Sequence, residues 1–472
     1  MFVASGAVLV LEILGIRLLA PYVGLTLETT TTIIGTVLAG IAAGAALGGR
    51  AADRMDARRL LPELLIGGAL LAIGIVPLVR TLGAGVQGGG DGAALTVTLV
   101  ALFPSAAVLS AVTPTVAKLQ LRHLDATGSV VGRLSAWATA GGLVGTFATG
   151  FVVVPLLPTD VAVFAVGGAL LVLGIGLALH DGARSRRAAA GLAAGAMVVG
   201  AATLAAGSPC DAETAYHCAR VERDGASGRI LVLDDLQHSY VDLRDPRRLE
   251  FDYTRWIGDA IDGVAAPGAR LDAVFLGGGG FTLPRYLAAT RPGSRSRVLE
   301  VDGPLVDLAR ERLALRTSRA LRVRVGDARV TLRDEPDASA DVVVGDAFGG
   351  RAVPWHLATV EFARAVRRVL RPGGVYAVNV IDAGPLDLAR AVGATLLQVF
   401  GDVVLVAHRD GAGGPDGGNL VFVASPTRVP PAARVGSRAA LVLGRAAVAR
   451  VAAGADPLRD DDAPADQLLT PV

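Results

Sequence analysis

The sequence predicts a bundle of membrane-spanning α-helices followed by an α/β domain with a doubly wound sheet and a small N-terminal β-hairpin. Two observations carry this prediction. Of 45 Lys and Arg and 43 Asp and Glu residues, only 17 lie in residues 1–180. Apolar runs of membrane-spanning length fill the first part of the chain, whereas short apolar runs alternate with amphipathic stretches in the second. We therefore expect a multi-pass transmembrane domain over 1–207 and an α/β domain over 208–472.

Long apolar stretches account for the membrane prediction. Each is close to the ~20 residues that a helix needs to cross the hydrocarbon core. The first has no positively charged region before it and no clear cleavage site, so it is interpreted as a span and not as a signal peptide. A seventh stretch, 188–207, consists mainly of Ala and Gly, which leaves six or seven spans. The other six lie at about 2–20, 30–49, 62–82, 93–114, 135–157 and 161–180.

Basic residues alternate between the connections of this bundle. They are concentrated in the second, fourth and sixth loops, and this distribution indicates that the even-numbered loops face the cytoplasm. The C-terminal domain then lies outside the cytoplasm if 188–207 spans the membrane, and inside if it does not. Cys210 and Cys218 follow this stretch as either a disulfide or two buried thiols. The basic loop residues are Arg50, Arg54, Arg58, Arg59, Lys118, Arg122, Arg133, Arg184, Arg186 and Arg187.

Glycine and charge patterns within the spans predict packed helices. Gly40, Gly44 and Gly48 repeat every four residues, which places them on one helix face and permits close approach of a neighbour. Glu12 and Arg17 lie within the first span, as either functional or structural polar groups. The run 48–59 resembles the loop between the second and third helices of major facilitator transporters, which have twice as many spans.

The charge balance and metal-ligand pattern exclude two classes of partner. The formal net charge is +2, and no Arg-rich run lies on a plausible recognition element, so no nucleic-acid partner is expected. No Cys or His cluster has metal-ligand spacing, so no metal is expected.

His356, beside Pro354, opens a helix and is interpreted as a residue at the mouth of a pocket or as a structural one.

Strands alternate with helices in the second half. A β-hairpin is expected first, then five parallel strands and a closing antiparallel hairpin. The first hairpin is predicted at Arg229–Leu233 and Tyr240–Leu243, and the closing one at Val403–Ala407 and Asn419–Ala424. The parallel strands are predicted at Leu271–Leu276, Arg297–Val301, Leu321–Val325, Asp341–Val344 and Val375–Val380. The helices are predicted at about 282–289, Leu305–Leu315 and Leu357–Leu370.

Three strand ends carry a candidate ligand site. A glycine turn that includes Gly277, Gly278 and Gly279 follows the first strand and lets backbone approach a ligand closely. Either Glu300 or Asp302, at the end of the second strand, suits two ribose hydroxyls. Asp327, after the third strand, suits an adenine amino group. The ordered set indicates an adenosine ligand such as S-adenosylmethionine, and the turn lacks the spacing of a dinucleotide site.

These motifs resemble the spermidine synthase (polyamine aminopropyltransferase) family over roughly residues 216–382, within the Rossmann-like, S-adenosylmethionine-dependent methyltransferase fold. The run L-D-D-L-Q-H-S-Y implies that Gln237 contacts the nucleoside, and F-D-Y-T-R-W-I implies that Tyr253 lines the substrate pocket. V-G-D-A-F-G-G implies that Asp346 is the catalytic aspartate. The whole chain is similar to the membrane-fused spermidine synthase-like proteins of bacteria. The resemblance implies decarboxylated S-adenosylmethionine as co-substrate, an amine acceptor and a homo-oligomer.

Asp346 has a chemical role to fill in such a reaction. Aminopropyl transfer is an attack by an amine on the carbon next to a sulfonium, and at neutral pH the amine is mostly protonated. A carboxylate can bind this cation and accept its proton as the attack proceeds. The alternative is that Asp346 caps the loop that follows it.

Three positions depart from the family pattern. Gly280 and Gly349 stand where the family has acidic residues, and Thr254 and Arg255 follow the pocket tyrosine where an acidic residue is also expected. The nucleoside half of the site is retained while the amine half is reduced. Two alternatives to an aminopropyltransferase therefore remain: a methyltransferase, and a non-catalytic nucleoside- or polyamine-binding transport or sensor protein.

Overall fold

The computed structural model divides the chain into two compact units. One consists of residues 1–218 with 234–236, and the other of residues 219–233 with 237–472. The first is mainly helical and the second is built on β-sheet. The described residues are 1–24, 27–86, 90–121, 127–180, 208–350, 353–431 and 440–470, with isolated positions between 191 and 203.

Helices of the first unit confirm the six predicted apolar stretches. Within the described residues, six helical stretches are long and apolar enough to cross a membrane, the fourth being Ala94–Gln120 and the fifth Thr127–Leu156. The seventh predicted stretch, 188–207, falls mostly outside the described residues. A π-helical turn, Thr149–Val153, follows α7. The helices are α1 (Phe2–Val23), α2 (Leu27–Arg54), α3 (Ala57–Gly85), α4 (Gly90–Ala101), α5 (Phe103–Ser110), α6 (Val112–Gln120), α7 (Thr127–Ala148), α8 (Val154–Leu156) and α9 (Thr159–His180).

The predicted glycine face of α2 packs against α5 and the start of α6. Gly40, Gly44 and Gly48 are buried. A Cβ atom added at Gly44 would overlap the carbonyl oxygen of Ala107 and lie 2.7 Å from its carbonyl carbon. One added at Gly48 would lie 2.6 Å from the Cα of Ala111. Hydrogen in place of a side chain therefore sets the distance between these helices.

The connection between α2 and α3 is made by the run that resembles the transporter loop. Asp56 caps the N-terminus of α3 by accepting a hydrogen bond from the backbone N–H of Arg58 at 3.0 Å. Asp53, near the end of α2, forms an ion pair of 2.9 Å with Lys118 near the end of α6. Asp53 thus joins the ends of two helices, and Asp56 caps the start of a third.

Cys210 and Cys218 form a disulfide within the first unit, which decides between the two alternatives left open by the sequence. The short strand β1 (Ala212–Glu213) lies between them. Arg17 of α1 donates a hydrogen bond of 2.5 Å to the carbonyl oxygen of Thr214. The residues after the bundle are therefore fastened to its first helix.

The second unit contains an eight-stranded mixed sheet in the order β12-β10-β11-β9-β8-β5-β6-β7. The five strands β5 to β9 run parallel, and β10, β11 and β12 add antiparallel pairs at one side, which confirms the predicted alternation and closing hairpin. The strands are β5 (Asp272–Leu276), β6 (Arg295–Glu300), β7 (Leu321–Val325), β8 (Ala340–Gly345), β9 (Leu370–Asp382), β10 (Asp402–Ala407), β11 (Gly418–Ser425) and β12 (Leu441–Leu443).

A smaller sheet precedes it and confirms the first predicted hairpin. Its neighbouring strands are β2 (Cys218–Asp224), β3 (Gly228–Leu233) and β4 (Leu236–Asp242). The helices of the second unit are α10 (Asp252–Asp262), α11 (Thr282–Thr290), α12 (Gly303–Arg312), α13 (Ala328–Thr331), α14 (Val360–Val369), α15 (Asp387–Val399), α16 (Arg445–Val451) and α17 (Ala465–Leu468).

Helix α14 shows why this sequence packs against the sheet. Phe362, Val366 and Val369 recur at the spacing of one helix face, and all three are buried in the main hydrophobic core. Thr359 caps the helix by accepting a hydrogen bond from the N–H of Phe362 at 3.3 Å. The apolar face and the cap together define where the helix begins and which side it buries.

Replacement of Gly44 by Ala should destabilise the helical unit by about 1–3 kcal/mol, because the added methyl group overlaps the backbone of Ala107. The measurement is thermal unfolding of the detergent-solubilised chain. Gly35→Ala is the matched control, since a Cβ atom at Gly35 of the same helix meets nothing within 4 Å. Equal unfolding temperatures for the two variants would contradict the close contact.

Candidate active site

Parallel strands bring the predicted site residues to one edge of the large sheet. Gly277 directly follows β5, Glu300 is the last residue of β6, Asp327 follows β7 and Asp346 follows β8. The pairs β5–β6, β5–β8 and β6–β7 are all parallel, so these carboxyl ends share one edge. In doubly wound sheets this edge is where ligands bind.

Gly277 allows the ends of β5 and β8 to meet. Its φ is +91°, and a Cβ atom there would overlap the carbonyl oxygen of Asp346. A side chain at this position would therefore be disfavoured by both backbone conformation and lack of space. The next residue, Gly278, donates its backbone N–H to Glu300 Oε2 at 2.6 Å. The glycine turn is thus held between the second and fourth parallel strand ends.

Glu300 and Asp302 occupy different positions, although the sequence offers either for ribose binding. Glu300 faces the glycine turn, and its Oε1 accepts the N–H of Asp302 at 2.9 Å. Asp302 is 1% exposed and caps α12 by accepting the N–H of Leu305 at 3.2 Å. Glu300 is therefore the better placed of the two for a ligand beside the turn, and Asp302 has a structural task.

Asp327 is partly exposed at the neighbouring strand end. Its Oδ1 accepts the N–H of Arg329 at 2.8 Å and so caps α13. Its Oδ2 lies 2.9 Å from Nε2 of His356. The structure therefore brings Asp327, the residue predicted to contact the adenine amino group, next to His356, for which the sequence leaves a place at the pocket mouth and a structural role as alternatives.

The hairpin contributes a contact that sequence reasoning missed. Gln237 lies on β4 with an exposed side chain. Ser239, two residues further along the same strand, accepts the backbone N–H of Gly280 at 3.0 Å through its hydroxyl. The strand alternation places both side chains on one face of β4, which is the signal that could have identified Ser239.

Asp346 is enclosed by protein, with partial access through a small cavity. Its Oδ2 lies 3.4 Å from the hydroxyl of Tyr253, which donates to it, and its Oδ1 accepts the amide of Asn379 at 3.2 Å. Burial raises the pKa of Asp346 to about 6, and the two hydrogen bonds oppose this shift. Burial, with the nearby carboxylate, also raises the pKa of Tyr253 well above its usual value. Among the described residues, the Asp346 carboxylate thus accepts hydrogen bonds from side chains and none from the loop that follows it.

Asn379 is the second residue that sequence reasoning missed. It is 2% exposed within β9, and its amide also donates to Asn419 Oδ1 at 2.9 Å. A polar residue inside an otherwise apolar strand needs a partner, because an unpaired buried amide costs free energy. The sequence signal was therefore the single Asn in the apolar run Val375–Val380.

A cavity of about 20 Å³, enough space for a water molecule, lies between these elements. Among the described residues, no group of three or more His, Cys, Asp or Glu side chains is placed to hold a metal ion. The cavity is lined by Ser239, Tyr253, Thr254, Phe275, Gly277, Gly278, Thr282, Leu283, Pro284, Val344 and Asp346.

The positions that depart from the family pattern differ in the space around them. A Cβ atom at Gly280 would lie 2.7 Å from the Cβ of Ser239, so no side chain fits there without displacement. At Gly349 the nearest atom to an added Cβ would be 3.9 Å away, in Pro354, so a Cβ atom is accommodated. The guanidinium of Arg255 forms an ion pair of 2.6 Å with its neighbour on α10, Asp252.

Comparison with known proteins finds relatives that are named polyamine aminopropyltransferases. The chain is 30% identical over 131 residues to a polyamine aminopropyltransferase of Vibrio vulnificus, a match that covers 27% of this chain and 43% of the relative. It is 37% identical over 186 residues to polyamine aminopropyltransferase 2 of Streptomyces coelicolor, covering 36% of this chain and 32% of the relative. The chain therefore spans less than half the length of these curated relatives. No family model matches it.

A solved structure covers more of this chain. The chain is 30% identical to a probable spermidine synthase from Corynebacterium glutamicum, over 53% of this chain and 95% of that one, with a TM-score of 0.48. The chain is similar to polyamine aminopropyltransferases. The matches to the two curated relatives agree with the sequence resemblance drawn from Gln237, Tyr253 and Asp346. Glu300, Asp327 and Asp346 of this chain lie at or just after the carboxyl ends of β6, β7 and β8.

Replacement of Asn379 by Leu should raise the pKa of Asp346 above about 6, because a hydrogen bond that stabilises its charged form is lost. The measurement is the pH dependence of carbodiimide labelling at Asp346, located by mass spectrometry. Ser425→Ala is the control, since it removes a buried hydroxyl that bonds to Gly374 and not to this site. An unchanged titration in Asn379→Leu would contradict the assigned hydrogen bond.

Proposed function

We propose that this chain is a membrane-anchored, spermidine synthase-like aminopropyltransferase that uses decarboxylated S-adenosylmethionine and an amine acceptor, and that it acts in polyamine biosynthesis. The observation that carries the proposal is the environment of Asp346, a carboxylate with a pKa of about 6 beside a glycine turn and a buried tyrosine. A base with such a pKa is largely ionised at neutral pH and still accepts a proton readily.

Two further carboxylates support nucleoside binding next to this base. Glu300 would accept hydrogen bonds from the ribose hydroxyls. It is held beside the turn by hydrogen bonds from the backbone N–H groups of Gly278 and Gly279. Asp327 would accept the adenine amino group. The exposed Gln237 would contact the nucleoside from β4. These assignments follow from the order of the strand ends together with the family resemblance.

The proposed reaction is a substitution at one carbon atom of the donor. The acceptor amine forms a new C–N bond with the methylene next to the sulfonium, and the C–S bond breaks. The electron pair of the broken C–S bond goes to sulfur, and methylthioadenosine leaves as the product. The acceptor, which is mostly an ammonium at neutral pH, passes its proton to Asp346 as the attack proceeds, and this frees the nitrogen lone pair that forms the C–N bond. Tyr253 donates a hydrogen bond to the carboxylate of Asp346.

The reduced set of carboxylates supports a second candidate function. The family holds the ammonium of the aminopropyl group with an acidic residue where this chain has Gly280, and Ser239 occupies the space a side chain would need. Methyl transfer from S-adenosylmethionine needs no such carboxylate. A methyltransferase acting on a hydrophobic or envelope substrate is therefore the alternative that this contact favours.

The six apolar helices support a location in the cell membrane as a multi-pass protein in contact with the lipid bilayer. The family resemblance further supports self-association as a homo-oligomer. Both belong to the proposal, and both can be measured on the chain extracted in detergent, by membrane fractionation and by its molar mass in solution.

Calorimetric titration of the full chain in detergent separates the candidates. Methylthioadenosine, decarboxylated S-adenosylmethionine and S-adenosylhomocysteine are compared in parallel. Tightest binding of the first two supports aminopropyl transfer, and a preference for S-adenosylhomocysteine moves the assignment to methyl transfer. Nucleoside binding without turnover of any amine would identify a non-catalytic binding protein. Absence of binding to all three would contradict the nucleoside site.

Replacement of Asp346 by Asn should lower the turnover number by at least about a hundredfold, because the proton acceptor is lost, and should leave the affinity for methylthioadenosine nearly unchanged.

The same replacement should stabilise the folded chain at pH 8, by up to about 3 kcal/mol for a pKa raised by roughly two units. The folded-state pKa of this carboxyl is raised, so the wild-type chain loses stability as the pH rises from about 4 to about 6, and the variant does not.

The measurements are initial rates and thermal unfolding at pH 4 and pH 8. Asp461→Asn is the matched control, since this carboxylate is exposed and lies outside the site. Full activity of the Asp346 variant would remove this residue from the mechanism.

Replacement of Gly349 by Asp should lower the KM for a diamine by about tenfold, because the backbone there accommodates a Cβ atom and the new carboxylate supplies a second counter-charge. Steady-state kinetics with putrescine and with a monoamine of equal length measure the effect. Gly349→Asn is the control of equal size without charge. An equal change for both amines, or for both variants, would show that the charge is not responsible.

A further inference from the structure

One end of the helical bundle carries the basic loops. Asp53 at the end of α2 is ion-paired with Lys118 at the end of α6, so the second and fourth connections lie at the same end. The connection between α2 and α3 adds four arginines in ten residues, and α7 adds Arg133 near its start. By the positive-inside rule this end of the bundle faces the cytoplasm.

The opposite end carries what we call the charged cluster, made of four charged residues and one threonine: Arg17, Arg80, Asp160, Glu213 and Thr159. Here α1 and α3 approach their C-terminal ends and α9 begins. Arg80 forms an ion pair of 2.6 Å with Asp160, and both side chains are at least four-fifths buried. Glu213 accepts the N–H of Thr159 at 3.1 Å, and its carboxylate lies 3.6 Å from Arg17. The charges are therefore paired within the protein, as buried charges near a membrane require.

Residues 208–218 belong to this second end. Ser208, Pro209, Cys210 and Glu213 line a cavity of about 20 Å³ together with residues of α1, α3 and α9. The carbonyl oxygen of Thr203 also accepts a hydrogen bond of 2.9 Å from Arg80. The chain that left α9 at the cytoplasmic end has thus reached the opposite end by this point.

The disulfide gives an independent indication of the compartment. Cys210 and Cys218 are bonded to each other at the end of the bundle that has the charged cluster. Disulfides persist in oxidising compartments and are rare in the cytoplasm, where thiols are kept reduced. The loop charges and the disulfide therefore indicate the same orientation by different physical arguments.

We infer that the α/β domain lies outside the cytoplasm. It follows Cys218 directly, and the sequence after this residue has no apolar run of the length that a membrane helix needs, so the chain stays in the compartment where the disulfide forms. This inference does not depend on the proposed activity. If the domain does turn over an adenosyl sulfonium, a compound class made from ATP in the cytoplasm, a transport step must supply its donor.

Reporter fusions to the full chain test this orientation. Alkaline phosphatase, which folds only outside the bacterial cytoplasm, and green fluorescent protein, which is fluorescent only inside it, are each attached after Val472. We expect phosphatase activity without fluorescence. The matched control carries the same reporters inserted after Met55, in the connection between α2 and α3, where the opposite result is expected. Fluorescence at the C-terminus, or equal signals from both C-terminal fusions, would overturn the inference.

Thiol accessibility supplies a second measurement that needs no fusion. The native chain should have no free thiol until it is reduced. In Cys218→Ser the remaining Cys210 should react with a membrane-impermeant maleimide in intact cells, with no increase after permeabilisation. Labelling that requires permeabilisation would overturn the orientation, and a free thiol in the native chain would overturn the disulfide argument. Neither readout involves catalysis, so an inactive enzyme would leave both results interpretable.

Discussion

Close backbone contact at glycine is the constraint on which both units depend. In the helical unit a side chain at Gly44 would occupy the position of a carbonyl oxygen on the neighbouring helix. A side chain at Gly141 of α7 would do the same to Phe2 of α1. In the α/β unit Gly277 meets the backbone of Asp346 in this way. Helix packing and the geometry of the site therefore have the same physical origin, the absence of Cβ atoms at a few positions.

A second constraint is the cost of enclosing charge. Asp346 keeps its carboxylate among protein atoms, which raises its pKa, and it recovers only part of this cost from Tyr253 and Asn379. In the charged cluster of the helical bundle, by contrast, Arg80 and Asp160 form an ion pair of 2.6 Å, so that each charge compensates the other. A fully paired group is suited to holding structure, whereas an incompletely compensated one is suited to accepting a proton.

Sequence reasoning identified the elements that depend on periodicity and missed those that depend on distant contacts. The apolar stretches and the alternating strands carry local patterns, and strand β7 was predicted at its observed bounds, Leu321–Val325. Ser239 and Asn379 carry no local pattern, since their roles arise from Gly280 and Asp346 on other elements. The choice between Glu300 and Asp302 likewise required the helix cap that only the fold reveals. The disulfide could not be decided from spacing alone.

The contact between Gly280 and Ser239 couples two positions that lie 41 residues apart in the chain. A side chain introduced at position 280 would place its Cβ atom 2.7 Å from the Cβ of Ser239. Alanine at position 239 keeps that Cβ atom, so only glycine there removes this overlap, and either change gives up the hydrogen bond from Ser239 to the turn. The effects of substitutions at the two positions should therefore not add, and an acidic residue at position 280 has to be assessed together with the residue at position 239.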